Sequence, residues 1–169
     1  MYEPRIYVAD LAAYNSGYLH GVWIDACEEL EVIWEQINAM LANSPIANSE
    51  EWAVHDYEGF GGYQVSEYES IASLNEIALF IEEHEQLGAL LLTNFYDLDE
   101  ARKTMEENYH GCYTSLADYA QAFTEETTDI PTTLEYYIDY EKMGKDWEMS
   151  GDIFTIETAH DEVHIFSNV

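Results

Sequence analysis

Apolar residues crowd two short runs near the start of the chain, "RIYVADL" (5–11) and "LHGVWID" (19–25). Both are rich in β-branched and aromatic residues, which predicts strands. "NSG" at 15–17 supplies loop chemistry between them. The apolar period then lengthens. Leu30, Ile33, Trp34, Ile37 and Leu41 recur at helical spacing. Asp25 and Glu28 have N-cap and N3 spacing, so the helix is expected to open at Asp25, and "NSP" at 43–45 ends it. "EWAVHDYE" (51–58) returns to a strand pattern, and "GFGG" (59–62) reads as a flexible turn.

From there the period is helical. Ser73 to Glu76 is a capping box before "LNEIALFIEEHE". "QLGALLLTNF" (86–95) is apolar enough for a short buried helix, and Asp97 to Glu100 is a capping pattern before "ARKTMEENY". Thr114 or Ser115 starts "LADYAQAFTEET", with Leu116, Tyr119, Ala120 and Phe123 on one face. Pro131 suits the first turn of "TTLEYYIDYEKM" and Gly144 its stop. In that helix Tyr137 and Ile138 join Leu134 on the core side. Tyr136 and Tyr140 then lie together at i, i+4 on another face, a pairing that suggests an interface. "DIFTIETA" and "EVHIFSNV" read as a hairpin around His160 and Asp161.

Strands with a helix, then helices, then helices with a hairpin indicate an α+β fold rather than alternating α/β. Three small units are expected: 1–65 (a three-stranded sheet with one helix), 66–110 (helical) and 111–169 (helices plus the hairpin). No stretch approaches the roughly 18 apolar residues of a membrane span. "MYEPRIYVAD" lacks an apolar signal core, so a cytoplasmic location is expected. Cys27 and Cys112 show no zinc or redox spacing and read as reduced thiols.

Charge changes this picture most. The 169 residues carry 35 Asp and Glu against 5 Lys and Arg, a formal net of −30. No Lys or Arg occurs from residue 6 to residue 101. Nucleic acid would repel such a chain, because affinity for it comes from cations on phosphates. An anionic membrane surface would repel it too. Basic proteins and cations remain as attractive partners, and self-repulsion at this density is destabilising, so the acidity needs a reason.

Three kinds of chemistry compete for it. "WAVHDYEGF" (52–60) gathers His55, Asp56 and Glu58 among aromatics. In a strand Asp56 and Glu58 share one face and His55 points to the other. With 35 acids in the chain some such pair is inevitable, so an acid/base site does not follow. His160 and His164 have zinc-like i, i+4 spacing but flank a predicted turn. No calcium loop, phosphate loop or nucleophile elbow occurs, and no cofactor is expected. Halophilic adaptation of an ordinary binding domain and a carboxylate hydrolase remain as alternatives to a protein-binding surface.

Three segments, taken in order, resemble the ArdA-type antirestriction proteins. "YNSGYLHGVWID" (14–25) is similar to that family's N-terminal signature, "HDYEGF" (55–60) to its central element, and "DIPTTLEYYIDYEKMGKDW" (129–147) to its antirestriction motif region. The resemblance implies an elongated protein, encoded by mobile genetic elements. It implies a homodimer whose acidic surface imitates bent duplex DNA and fills the DNA-binding groove of type I restriction-modification enzymes, with no catalysis. The carboxylates assigned to that surface are Asp25, Glu28, Glu29, Glu31, Glu35, Asp56, Glu58, Glu67, Glu69, Glu82, Glu83, Glu85, Asp97, Asp99, Glu100, Glu106, Glu107, Asp118, Glu125 and Glu126. Tyr136, Tyr137, Asp139, Tyr140 and Glu141 form the candidate dimer or antirestriction motif. Duplex DNA carries one charge per about 1.7 Å of axis, so the net charge matches about 50 Å of duplex.

Overall fold

A computed structural model describes residues 2–168. It is a mixed α+β fold, as the sequence pattern predicts, and its strands form two antiparallel three-stranded sheets. The chain divides into two compact units, Met1–Leu98 and Asp99–Val169.

In the first unit, β1 (Arg5–Asp10) lies between β2 (Gly21–Asp25) and β3 (Trp52–Glu58). β1 buries Ile6, Val8 and Ala9, and β2 buries Ile24. Helix α2 (Leu30–Ala42) covers this face with Ile33, Ile37 and Met40. Each fully buried Ile or Leu contributes about 1.5–3 kcal/mol relative to exposure. The helix opens four residues later than the capping-box reading expects, with Glu29 rather than Asp25 at the cap position. The Asp25 carboxylate accepts from the Cys27 amide at 2.9 Å, a local turn that competes with helix initiation.

Asp10 ends β1 and caps a five-residue helix, α1 (Leu11–Asn15), which the sequence pattern did not reveal. Its Oδ1 accepts from the Ala13 amide at 3.0 Å and the Ser49 hydroxyl at 2.6 Å. The residue is fully buried. Burial pushes its carboxyl up, but the Ser44 and Ser49 side chains and the Ala13 and Ala12 amides outweigh this and hold the pKa below its usual value.

Helix α3 (Ile71–Phe95) starts at a Ser70 cap, whose hydroxyl accepts from the Ser73 amide at 3.1 Å. Ser73 is therefore inside the helix rather than its cap. The two helices expected on either side of residue 85 are present as arms of α3, broken at Glu85 (φ 51, ψ −133). A residue with a Cβ in that conformation costs on the order of 1–3 kcal/mol.

In the second unit, α4 (Leu98–Glu107) leads into β4 (Tyr109–Tyr113), and the sheet order is β4, β6 (Glu162–Ser167), β5 (Ile153–Ala159). The hairpin is as expected, with Val169 of the predicted second strand outside the described residues. β4 was not foreseen. Its Gly111 sits at φ 106 beside a register shift, and "YHGCY" has no apolar alternation to betray it. Helix α5 (Leu116–Thr127) starts at the Ser115 cap, whose hydroxyl accepts from the Asp118 amide at 3.1 Å. Tyr119, Ile153, Val163 and Ile165 form the core, with Tyr113, Leu116 and Trp147 against it.

The region after Pro131 departs most from expectation. Residues 135–137 form a single 3-10 turn, Ile138 is extended, and helix α6 runs Tyr140–Ser150 from an Asp139 cap to Gly151. Gly144 is inside α6, not at its end. A Cβ there would lie 2.7 Å from Leu116 Cγ, so glycine lets α6 approach α5 closely. Leu134 and Tyr137 are exposed, so they do not form the core side of a helix.

Candidate functional site

"WAVHDYEGF" packs its aromatics and leaves its carboxylates outside. Phe60 is buried and meets Tyr57 edge-on at 5.7 Å. Trp52 meets Trp34 of α2 at 5.5 Å. The pairing of β1 with β3 sets Tyr7 opposite Asp56 and Val8 opposite Val54, so His55 is the extra residue of a bulge. It rests against Tyr14 at 4.9 Å. The bulge breaks strict alternation, and both His55 and Asp56 are exposed. Asp56 accepts from the amide of Tyr57, and Glu58 pairs with Arg5 at 3.2 Å. These are surface contacts rather than an acid/base dyad in a cleft.

The same holds along the chain. Asp25 ends β2, Glu28 and Glu29 lie between β2 and α2, and Glu31 and Glu35 stand exposed on α2. Glu67 and Glu69 precede α3, Glu82, Glu83 and Glu85 surround its break, and Asp97 follows it. In the second unit Asp99, Glu100, Glu106 and Glu107 belong to α4, and Asp118, Glu125 and Glu126 to α5. Of all 35 carboxylates only Asp10 and Glu69 are not exposed. Asp99 and Glu100 stand in the first turn of α4, where the helix dipole favours them. Two assigned carboxylates reach inward by their field. Cys27 is pushed up to about 12 by burial first, then by the charges of Glu82 and Asp25.

The motif residues separate into two groups. Tyr136 and Tyr137 ride the 3-10 turn with 92% and 84% of their surface exposed. Asp139 Oδ1 accepts from the Lys142 amide at 3.0 Å, and Glu141 pairs with Lys145 at 2.9 Å. Tyr140 is half-buried at the edge of an open cavity of about 470 Å³ that also takes in Glu125, Asp129, Glu135 and Tyr136. Burial raises the Tyr140 phenol, and the Glu125 and Glu135 carboxylates raise it further. Tyr136 and Tyr140 thus share a cavity edge without sharing a helix.

His160 and His164 are not brought together as ligands. His164 is held between the Tyr109 hydroxyl (2.7 Å) and the Thr158 hydroxyl (3.0 Å), and burial pushes its pKa down. His160 stands exposed beside Asp161. Among the described residues no three or more His, Cys, Asp and Glu side chains are grouped to hold a metal ion. No helix among them is long and apolar enough to cross a membrane. Sequence reasoning missed Asp10, the one fully buried carboxylate. Its signal was an aspartate three residues ahead of Ala13, directly after a strand.

Residues 6–162 match the model of the family described as antirestriction protein (ArdA). No curated protein matches the chain.

Proposed function

The chain belongs to the ArdA antirestriction protein family, and from that membership, which carries antirestriction function, we propose that it occupies the basic DNA-binding groove of a type I restriction-modification enzyme. It does so in the cytoplasm as an acidic imitation of duplex DNA, and it catalyses nothing. The observation that carries this reading is the disposition of charge. Thirty-five carboxylates outnumber five cations, and all but Asp10 and Glu69 are exposed. Asp10 is committed to capping α1. A carboxylate hydrolase instead needs two acids of separated pKa in a shared cleft.

We also propose that the chain acts as a homodimer joined near Leu134, Tyr136 and Tyr137. In support, these three side chains are exposed together, and tyrosine is enriched at interfaces. Two-fold pairing is the commonest symmetry of soluble oligomers. At one charge per about 1.7 Å, two chains would imitate about 100 Å of duplex.

Affinity in this mechanism sums many weak contacts. Exposed charge pairs contribute about 1 kcal/mol or less each. Glu29→Gln, Glu82→Gln or Asp99→Asn alone should weaken inhibition of DNA cleavage only about fivefold or less. Neutralising six or more carboxylates of one unit should abolish most of it and flatten its dependence on salt. The test is a titration of inhibition with each variant at two salt concentrations. A single amide substitution that removes activity, with fold and oligomeric state intact, contradicts the mechanism, since loss of one catalytic acid typically costs about 10²–10⁴-fold.

A further inference from the structure

Among the described residues, Asn75 is the one polar side chain that α3 buries, at 8% exposure. Its amide nitrogen donates to the Ala26 carbonyl at 2.7 Å and to the Glu28 carbonyl at 2.9 Å. Both partners are acceptors, so only the NH2 end of the amide can meet them, and both of its hydrogens are used. The two carbonyls belong to the turn that joins β2 to α2.

That turn is weakly held from within. Its bond from the Glu28 amide to the Asp25 carbonyl is long, at 3.5 Å, and Glu29 caps α2 without a side-chain hydrogen bond. It also carries Asp25, Glu28 and Glu29, all exposed, and like charges this close repel one another. Glu82, about two turns beyond Asn75 on α3, adds a fourth carboxylate, which accepts a hydrogen bond from the Cys27 thiol.

A lysine or arginine holding this turn would neutralise the charge it gathered. The first unit has one such residue, Arg5. It lies opposite Asp25 in the β-ladder, but its guanidinium pairs with Glu58 at 3.2 Å. An uncharged amide gathers carboxylates and leaves their charge whole. We propose that Asn75 is a positioning residue for the acidic surface: it clips the 25–29 turn to α3 and so sets Asp25, Glu28 and Glu29 in fixed register with Glu82. This rests on the groove occupancy proposed above and adds to it a buried residue that carries no charge.

The experiment uses full-length chains in a Cys112→Ser background, so that Cys27 is the only thiol. The parent, Asn75→Leu and Ile77→Val, a packing change on the same helix, are compared. Each is measured for urea unfolding, for the rate of Cys27 alkylation by iodoacetamide, and for inhibition of DNA cleavage with a purified type I enzyme. Asn75→Leu should raise the alkylation rate at about pH 9 at least tenfold, because each unit the thiol falls toward its ordinary value of about 8.5 multiplies the reactive thiolate about tenfold. It should raise the inhibition constant about tenfold, since three exposed charge pairs are misplaced together. Ile77→Val should lose stability and leave both readouts unchanged. If Asn75→Leu does not fold, Asn75→Ser, which keeps one donor, takes its place with the same expected directions. An alkylation rate that does not rise, or that rises equally in Ile77→Val, overturns the clip. A raised rate with the parent's inhibition constant overturns the positioning role. A parent chain that does not inhibit at all contradicts the groove reading, and the positioning role with it, while the thiol still reads whether the clip holds the turn.

Discussion

Residues 52–60 and 129–140 are both rich in aromatic and acidic side chains, and the two units treat them in opposite ways. In the first stretch Phe60 is buried, and Trp52 and Tyr57 are half-covered in edge-on contacts with Trp34 and Phe60. In the second, Leu134, Tyr136 and Tyr137 are exposed, and a 3-10 turn and an extended residue replace the helix that would have gathered them. Similar composition therefore supports a core in one place and an unfilled surface in the other. The difference comes from backbone pairing. β3 is fixed along its length to β1, whereas residues 129–139 have no strand or long helix to hold them.

Removing the packed ring should have the largest effect. Phe60→Ala deletes a buried side chain and should cost about 3–5 kcal/mol in urea unfolding. A loss near zero would mean that the first stretch is no more structural than the second.

Gly144→Ala comes next. The added methyl meets Leu116 Cγ at 2.7 Å, so α5 and α6 must part at a cost of about 1–3 kcal/mol. A neutral result would return Gly144 to the helix-stop role expected from sequence.

Acidification should weaken the two units in sequence. His164 has a lowered pKa in the folded chain. Its contribution is present above the unfolded value of about 6.5 and is lost as pH falls through the lower folded value. Asp10 is also lowered, so its contribution is present above about 3.9 and is lost below it. His164→Gln should flatten the stability profile just below pH 6.5 in the second unit, and Asp10→Asn the profile below about 3.9 in the first. NMR signals from each unit followed through a pH titration check the order.

The smallest change in stability is expected at the exposed ring. Tyr136→Glu should alter unfolding by no more than about 0.5 kcal/mol while shifting the light-scattering mass toward monomer. A parent that is already monomeric at micromolar concentration removes the dimer, and an unchanged dimer in the variant moves the contact elsewhere.

Much of the fold was legible where period and cap agree. β1, β2, β3, the C-terminal hairpin and the Ser115 start of α5 follow from short β-branched and aromatic runs and a hydroxyl in the right place. The break at Glu85 was legible as a change from a charged to an apolar helical stretch. What escaped notice depends on competition between local options. Asp25 fits a helix cap by spacing but makes a two-residue turn. Asp139 captures the start of α6 and leaves the preceding tyrosines outside any α-helix. β4 is held by β6 rather than by its own pattern. The acidic surface was legible as a total and in its exposure, because a carboxylate with no buried partner stays in water. Which of these acids meets a partner depends on the partner's own surface, which the pattern of one chain does not contain.

The most direct measurement of groove occupancy is DNA cleavage by a purified type I enzyme at fixed inhibitor and rising DNA. Competition for one groove predicts that DNA relieves the inhibition, with an apparent inhibition constant that climbs in proportion to DNA concentration. Inhibition that stays constant as DNA rises would place the chain away from the groove and contradict the account.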